Sequence, residues 1–280
     1  MLALSARSPV SLTTRSCGCT QRVSSDRVAS HGPMPNGGRN LDAPGAYPGA
    51  VEQRPPVALV RRARAVDRIL QQVYPDAHCE LDFRDAYELL VATILSAQCT
   101  DERVNQVTPT LFERYPDPVA LAAADRADLE QIIRSTGFFR NKAASLQAMA
   151  ARVCEKYHGQ IPRPMSALTT LPGVGRKTAH VVRGNAFDQP GFTVDTHVSR
   201  LSQRLGWTTQ TDPVRIEYAL DALFPRKDRT MVSHRLIFHG RRCCFARKPA
   251  CGACPVARLC PSRDLGEQDP VRAEKMIKRP

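Results

Sequence analysis

From about residue 58 onward, apolar positions recur at the three- and four-residue spacing that lines one face of a helix. Ala63, Val66, Ile69, Leu70 and Val73 form one such stripe, ended by Pro75, and Leu146, Met149, Val153 and Tyr157 form another, ended by Gly159. Both stripes predict core-facing helices. Asp85 with Glu88 reads as a capping arrangement in front of the strongly apolar run Leu89 to Leu95, a helix expected to run through the middle of a domain. Asp212-Pro213 opens a further helix carrying Ile216, Leu220 and Leu223. On this basis the chain holds about nine or ten helices and little strand, an all-α fold.

Residues 1–57 break the pattern. They are rich in Ser, Arg, Gly and Pro, carry only Asp26, Asp42 and Glu52 as acids, and show no sustained periodicity, so they read as a disordered basic tail. A transit peptide would share that composition but would also be amphipathic, which this segment is not clearly. Met34 offers a second possible start, and Cys17 and Cys19 read as incidental.

The remaining chain, in a protein of 280 residues with 42% hydrophobic content, suffices for one large or two small domains. Lys and Arg outnumber Asp and Glu 40 to 27, giving a net charge of +13, which points to a polyanionic partner. Charge alone does not separate DNA from RNA or a membrane surface. No apolar run approaches the ~20 residues needed to span a bilayer, so a soluble protein is expected.

Two constellations narrow the choice. In Leu171-Pro172-Gly173-Val174-Gly175-Arg176-Lys177-Thr178, two glycines one residue apart let bare backbone approach a ligand, and the helix that follows offers its N-terminal amides to phosphate. Lys177 would then lie in a first helical turn, where the dipole disfavours a cation, a setting that suits a nucleophilic amine. Gly-x-Gly is also compatible with an ordinary turn and a solvated lysine, and the run is not a Walker loop. Eighteen residues beyond Lys177, Val194-Asp195-Thr196-His197 supplies a carboxylate at the start of another helix.

The second constellation is Cys244, Cys251, Cys254 and Cys260, with gaps of six, two and five residues. These are short enough to wrap four thiolates around one centre. Zinc more often takes two Cys-x-x-Cys pairs, and an iron–sulfur cube suits the unequal spacing at least as well, although neither familiar ferredoxin pattern matches. A disulfide framework fits poorly in a long chain with its own core and no secretory signal. Cys243 competes for the first ligand position, while Cys79, Cys99 and Cys154 read as small core residues.

The run LPGVGRKT, then VDTH, then C-x6-C-x2-C-x5-C, together with Leu95-Ser96-Ala97-Gln98 and Thr100-Asp101, closely resembles the endonuclease III family of helix-hairpin-helix DNA glycosylases, over roughly residues 58 to 265. The resemblance implies Lys177 as nucleophile, Asp195 as essential carboxylate, and one 4Fe–4S cluster on Cys244, Cys251, Cys254 and Cys260, with Cys244 rather than Cys243 as first ligand. It places Gln98 at the position that fills the gap left by an extruded nucleotide. Phe138 falls in a wedge loop where leucine is usual, and a core position for it stays open. Gly173, Gly175, Arg247 and Lys248 would hold phosphate.

The family's architecture would give a six-helix domain over 79–189, a cluster domain over 58–78 and 190–265, and a C-terminal tail over 266–280, with a DNA cleft between the domains. The implied activity is that of a bifunctional glycosylase and abasic-site lyase acting on oxidised pyrimidines in double-stranded DNA. The protein would be a monomer, cytoplasmic and nucleoid-associated, with no membrane partner. Two rivals are a monofunctional adenine glycosylase of the same superfamily, which lacks the lysine and adds a further domain, and a non-catalytic DNA-binding module, which explains neither Lys177 nor Asp195.

Overall fold

A computed structural model describes residues 54–279, and these contain helices and turns but no strand. The tail reading, Met34, Cys17 and Cys19 lie outside the described residues, save the last few tail positions. Helix α1 (Val57–Val73) buries Ala63, Val66 and Leu70 as the stripe predicts, but Val73 at its end is exposed. Helix α2 (Ala86–Leu95) is buried at every residue from Tyr87 to Leu95. Its cap is the expected one shifted by a residue: Asp85 accepts from the Glu88 amide, whereas Glu88 reaches back to the amide of Arg84 rather than of Asp85.

Helices α3 (Asp101–Arg114), α4 (Pro118–Ala122), α5 (Arg126–Ile132), α6 (Phe139–Tyr157), α7 (Met165–Leu168) and α8 (Arg176–Ala186) follow. They pack with α2 around one apolar core that includes Leu89, Leu90, Leu111, Leu129, Leu146, Met149 and Val182. A second core unites α1 with α9 (Thr196–Arg204), α10 (Pro213–Asp221) and α11 (Arg229–Arg242) through Val66, Leu70, Phe192, Leu201, Ile216, Leu220 and Leu236. Asp212 caps α10 by accepting from the Arg215 amide. Twelve α-helices are present among the described residues, more than expected, because α4 and α7 span one turn or little more and carry no readable period.

The segment read as a C-terminal tail is a correction. Helix α12 (Pro270–Met276) lies there, capped by Asp269, and its Ala273 is fully buried against Cys243 and Ala250. The segment before it is stitched to the cysteine loop by hydrogen bonds from the Glu267 amide to the Pro249 carbonyl and from the Gly252 amide to the Glu267 carbonyl. Seven residues with Pro at the start give too little periodicity to announce such a helix. Among the cysteines read as core residues, Cys79 and Cys99 pack against the first core, but Cys154 is half-buried and does not.

Polar bridges join the two cores. Arg176 of α8 grips Glu217 of α10 through two bonds of 2.6 and 2.7 Å, and His180 adds a third contact to the same carboxylate at 2.9 Å. Asn185 of α8 meets His234 of α11 at 2.9 Å. The helix that begins with Arg176 and Lys177 is thereby fixed against both α10 and α11.

Candidate active site and metal centre

Lys177 is the second residue of α8, and its side chain is exposed. Gly175 is the N-cap and no side chain caps this helix end, so its first-turn amides remain available to an anion. The two glycines differ in what requires them. Gly173 has φ +76°, and a Cβ there would press to 2.9 Å of Ser145 Cβ, so the fold itself demands glycine. Gly175 has φ −90° and a Cβ would meet nothing within 4 Å. The alternative in which the two glycines serve only a turn therefore fits Gly173 and not Gly175, which the fold does not need to be glycine.

Asp195 is half-buried as the N-cap of α9, its Oδ1 accepting from the Val198 amide at 2.8 Å. Its second carboxylate oxygen is not engaged by that bond. Asp101, first residue of α3, feels both candidate catalytic groups: burial raises its pKa, the Lys177 ammonium lowers it, and Asp195 raises it. Lys177 and Asp195 thus share one electrostatic neighbourhood with Asp101, a third carboxylate that belongs to a motif of the resemblance but to which the sequence assigned no role. Arg241 of α11 bridges Asp101 and Glu80, donating to Asp101 at 3.0 Å. His197, two residues beyond Asp195, is held below the usual imidazole pKa mainly by burial and contacts Arg200 at 3.1 Å.

Gln98 and Phe138 share an uncommon property. Both are non-glycine residues in the left-handed region, at φ 55° and 48°, and both are exposed. Phe138, at 65% exposure, contributes nothing to the core, which settles the alternative left open by the sequence. Arg247 and Lys248 are exposed on the loop between Cys244 and Cys251. Lys248 donates to Glu267 at 2.7 Å, a partner supplied by the segment expected to be a tail.

Cys244, Cys251, Cys254 and Cys260 line a single small pocket, together with Cys243 and walled also by Leu201, Leu205 and Val256. Burial first, and then the neighbouring thiols, push Cys244, Cys251 and Cys260 above the ordinary thiol pKa. Such a crowd of sulfurs in an apolar pocket is stable as thiolates only around a cation, which is the chemistry of a cluster site. The surroundings already provide sulfur and backbone partners. Arg204 of α9 donates to Cys244 Sγ at 3.3 Å and to the Phe245 and Ala246 carbonyls, both at 2.7 Å. His239 lies with Nε2 at 3.5 Å from Cys254 Sγ and Nδ1 at 3.0 Å from the buried Tyr74 hydroxyl. Arg204, His239 and Tyr74 escaped the sequence reading because their link to the loop is set by helix packing. Cys243 is buried beside Ala250 and Ala273, and its Sγ lies within 4.8 Å of Cys254 Sγ, so burial and proximity do not by themselves choose among the five nearby cysteines.

The fold, the glycine-lined helix start and the four-cysteine loop define a helix-hairpin-helix DNA repair protein. Residues 91–226 match the HhH-GPD superfamily of base excision DNA repair proteins, and residues 244–260 match the iron–sulfur binding domain of endonuclease III. That second match opens on Cys244 and leaves Cys243 outside. The chain is 56% identical over 203 residues to endonuclease III of Synechocystis sp., covering 72% of this chain and 93% of the relative. It is 46% identical over 189 residues to endonuclease III of Bacillus subtilis, covering 67% and 86%. A solved structure of a non-covalent endonuclease III–DNA complex aligns with TM-score 0.70 at 44% identity, covering 73% of this chain and 96% of that one. A thermostable thymine-DNA glycosylase, at 22% identity and TM-score 0.67, shares the fold. The chain belongs to the endonuclease III family. It is accordingly a base excision repair enzyme, a DNA glycosylase and abasic-site lyase, with an iron–sulfur cluster. No helix among the described residues is long and apolar enough to cross a membrane.

Proposed function

We propose that the chain releases oxidised pyrimidines from double-stranded DNA and cuts the resulting abasic site on its 3′ side, with Lys177 as nucleophile and Asp195 as the assisting carboxylate. The observation that carries this reading is an exposed lysine in the uncapped first turn of α8, in one electrostatic neighbourhood with Asp195. An anionic backbone drawn to the α8 amides and to Gly175 places a sugar beside Lys177. The two apolar cores serve as two domains, 79–189 and 58–78 with 190–265, and the duplex occupies the cleft between them.

The target nucleotide must leave the stack before its sugar carbon can be reached. Gln98 and Phe138, exposed on left-handed turns, fill the vacated space, the amide pairing with the orphaned base and the ring wedging by stacking. Lys177 Nζ attacks the anomeric carbon and the carbon–nitrogen bond to the base breaks. The amine proton is lost, and the sugar opens to an imine on Nζ. The imine acidifies the adjacent carbon, whose proton departs as the 3′ phosphate leaves by β-elimination. Asp195 stabilises the positive charge that develops on the sugar and assists deprotonation of the lysine.

A 4Fe–4S cluster on Cys244, Cys251, Cys254 and Cys260 supplies a structural crosslink that shapes the loop presenting Arg247 and Lys248. Lys248 exchanges Glu267 for phosphate on binding. The enzyme works as a monomer in the cytoplasm, associated with the nucleoid. Two duplexes test the reading, one carrying thymine glycol and one a preformed abasic site. Both should be nicked, leaving an unsaturated aldehyde at the new 3′ end. Base release without nicking would favour a monofunctional glycosylase, and neither event would favour a binding module.

A further inference from the structure

Lys142 is 6% exposed and lies in the first turn of α6, where the helix dipole disfavours a cation. Burial lowers its pKa. No carboxylate offsets its burial: Nζ donates instead to the Leu95 carbonyl at 2.8 Å and the Thr136 carbonyl at 2.7 Å. Leu95 is the last residue of α2, and Thr136 ends the short 3₁₀ turn before α6. Each carbonyl stands just upstream of an exposed residue held in the left-handed region, Gln98 after Leu95 and Phe138 after Thr136. A non-glycine residue keeps that conformation only where its surroundings over-determine it. The Lys142 ammonium is a group common to both surroundings, and it holds the two carbonyl oxygens within two hydrogen-bond lengths of each other.

We infer that Lys142 is a positioning residue for the distortion of the duplex: its ammonium pins the Gln98 and Phe138 turns at one fixed separation, so that both side chains enter the stack together. This rests on the proposed roles of Gln98 and Phe138. A methionine of similar length would fill the space but donate to neither carbonyl, leaving two buried acceptors unpaired and the turns free to part.

The test is a double-mutant cycle on full-length, cluster-loaded protein. Lys142→Met is made in the wild-type background and in a Gln98→Ala/Phe138→Ala background, and single-turnover cleavage of a thymine-glycol duplex is measured beside affinity for a duplex with an uncleavable abasic analogue. In the wild-type background Lys142→Met should slow cleavage about tenfold or more; in the doubly substituted background the further loss should be within about twofold, since a residue acting through others adds nothing once they are gone. A 2-aminopurine base opposite the lesion should report altered stacking in the Lys142→Met complex. Equal losses in both backgrounds, or no loss in either, would overturn the inference. If the Gln98→Ala/Phe138→Ala protein itself cleaves normally, the roles of Gln98 and Phe138 fall, and the inference with them, a different result from additive losses. Should Lys142→Met not fold, Lys142→Gln, which retains a shorter donor, carries the same cycle with the same two readings.

Discussion

The region around α8 and the loop that follows α11 are stabilised in opposite ways. The first is a helical core of ordinary construction, in which Leu89, Leu90, Leu146, Met149 and Val182 are fully buried and Asp85, Thr100, Asp117 and Asp125 cap successive helices. The second, from Cys243 to Ile277, has three short 3₁₀ turns, one short helix and a core of little more than Cys243, Ala250 and Ala273. One is organised by apolar burial, the other by what its sulfurs hold. The difference teaches that loss of a single residue should be graded and local in the first region but collective in the second, because on the proposed reading four cysteine ligands share one centre.

The largest effect should therefore come from the ligands. Cys244→Ser, Cys251→Ser, Cys254→Ser and Cys260→Ser should each give protein that is insoluble or lacks iron and the broad visible absorbance of a cluster, whereas Cys243→Ser should keep both. Iron and sulfide analysis beside the absorbance spectrum checks this. Stoichiometric zinc without iron in anaerobically purified protein, or loss of the cluster only in Cys243→Ser, would break the contrast as drawn.

Asp195 sharpens it, because this residue caps α9 and is also the carboxylate proposed to assist the chemistry. Asn caps a helix about as well as Asp, so Asp195→Asn should leave thermal stability nearly unchanged while turnover falls by about two orders of magnitude or more. Asp195→Ala should lose turnover and about 1 kcal/mol of stability as well. Calorimetry and single-turnover kinetics on the pair separate cap from catalyst. Equal destabilisation by both substitutions would assign Asp195 to the cap alone.

An effect that emerges only on acidification is expected where α8 meets the second core. Burial lowers the His234 imidazole to about 4, and the ring faces Asn185 at 2.9 Å. An unfolded chain takes up a proton near the ordinary imidazole pKa of about 6.5, which the folded state refuses until much lower pH. This contribution to stability is thus fully present above about pH 6.5 and lost as pH falls towards 4, on the order of 3 kcal/mol over the whole window. His234→Gln should flatten the denaturation midpoint across that range. An unchanged slope would show that His234 is not the group responsible.

Much of this was legible in the sequence, for reasons that differ by feature. The stripes of α1 and α6 are long enough for their period to be read, and Asp85 and Asp212 announce helix starts through a local side-chain bond. Lys177, Asp195 and the four cysteines stand at spacings that few other chemistries require. Helix α12 was missed because a single buried alanine fixes its packing. Asp101, Arg204, His239 and Lys142 join the site or its supports through contacts between distant elements, and no local spacing encodes those. The pairing of Lys248 with Glu267 was hidden for the same reason. Gly173 and Gly175 look alike in sequence, and only the backbone shows that the fold needs glycine at Gly173 and not at Gly175.

The central claim is that Lys177 forms a covalent bond with the sugar, and reductive trapping tests it most directly. Borohydride added while the protein acts on an abasic or thymine-glycol duplex should reduce the imine and leave a stable protein–DNA adduct, with peptide mapping placing the modification on Lys177. Lys177→Ala, folded and carrying its cluster, should give no adduct, no strand cleavage and no base release. An adduct at wild-type level in that variant, or an adduct mapped to another amine, would contradict the account.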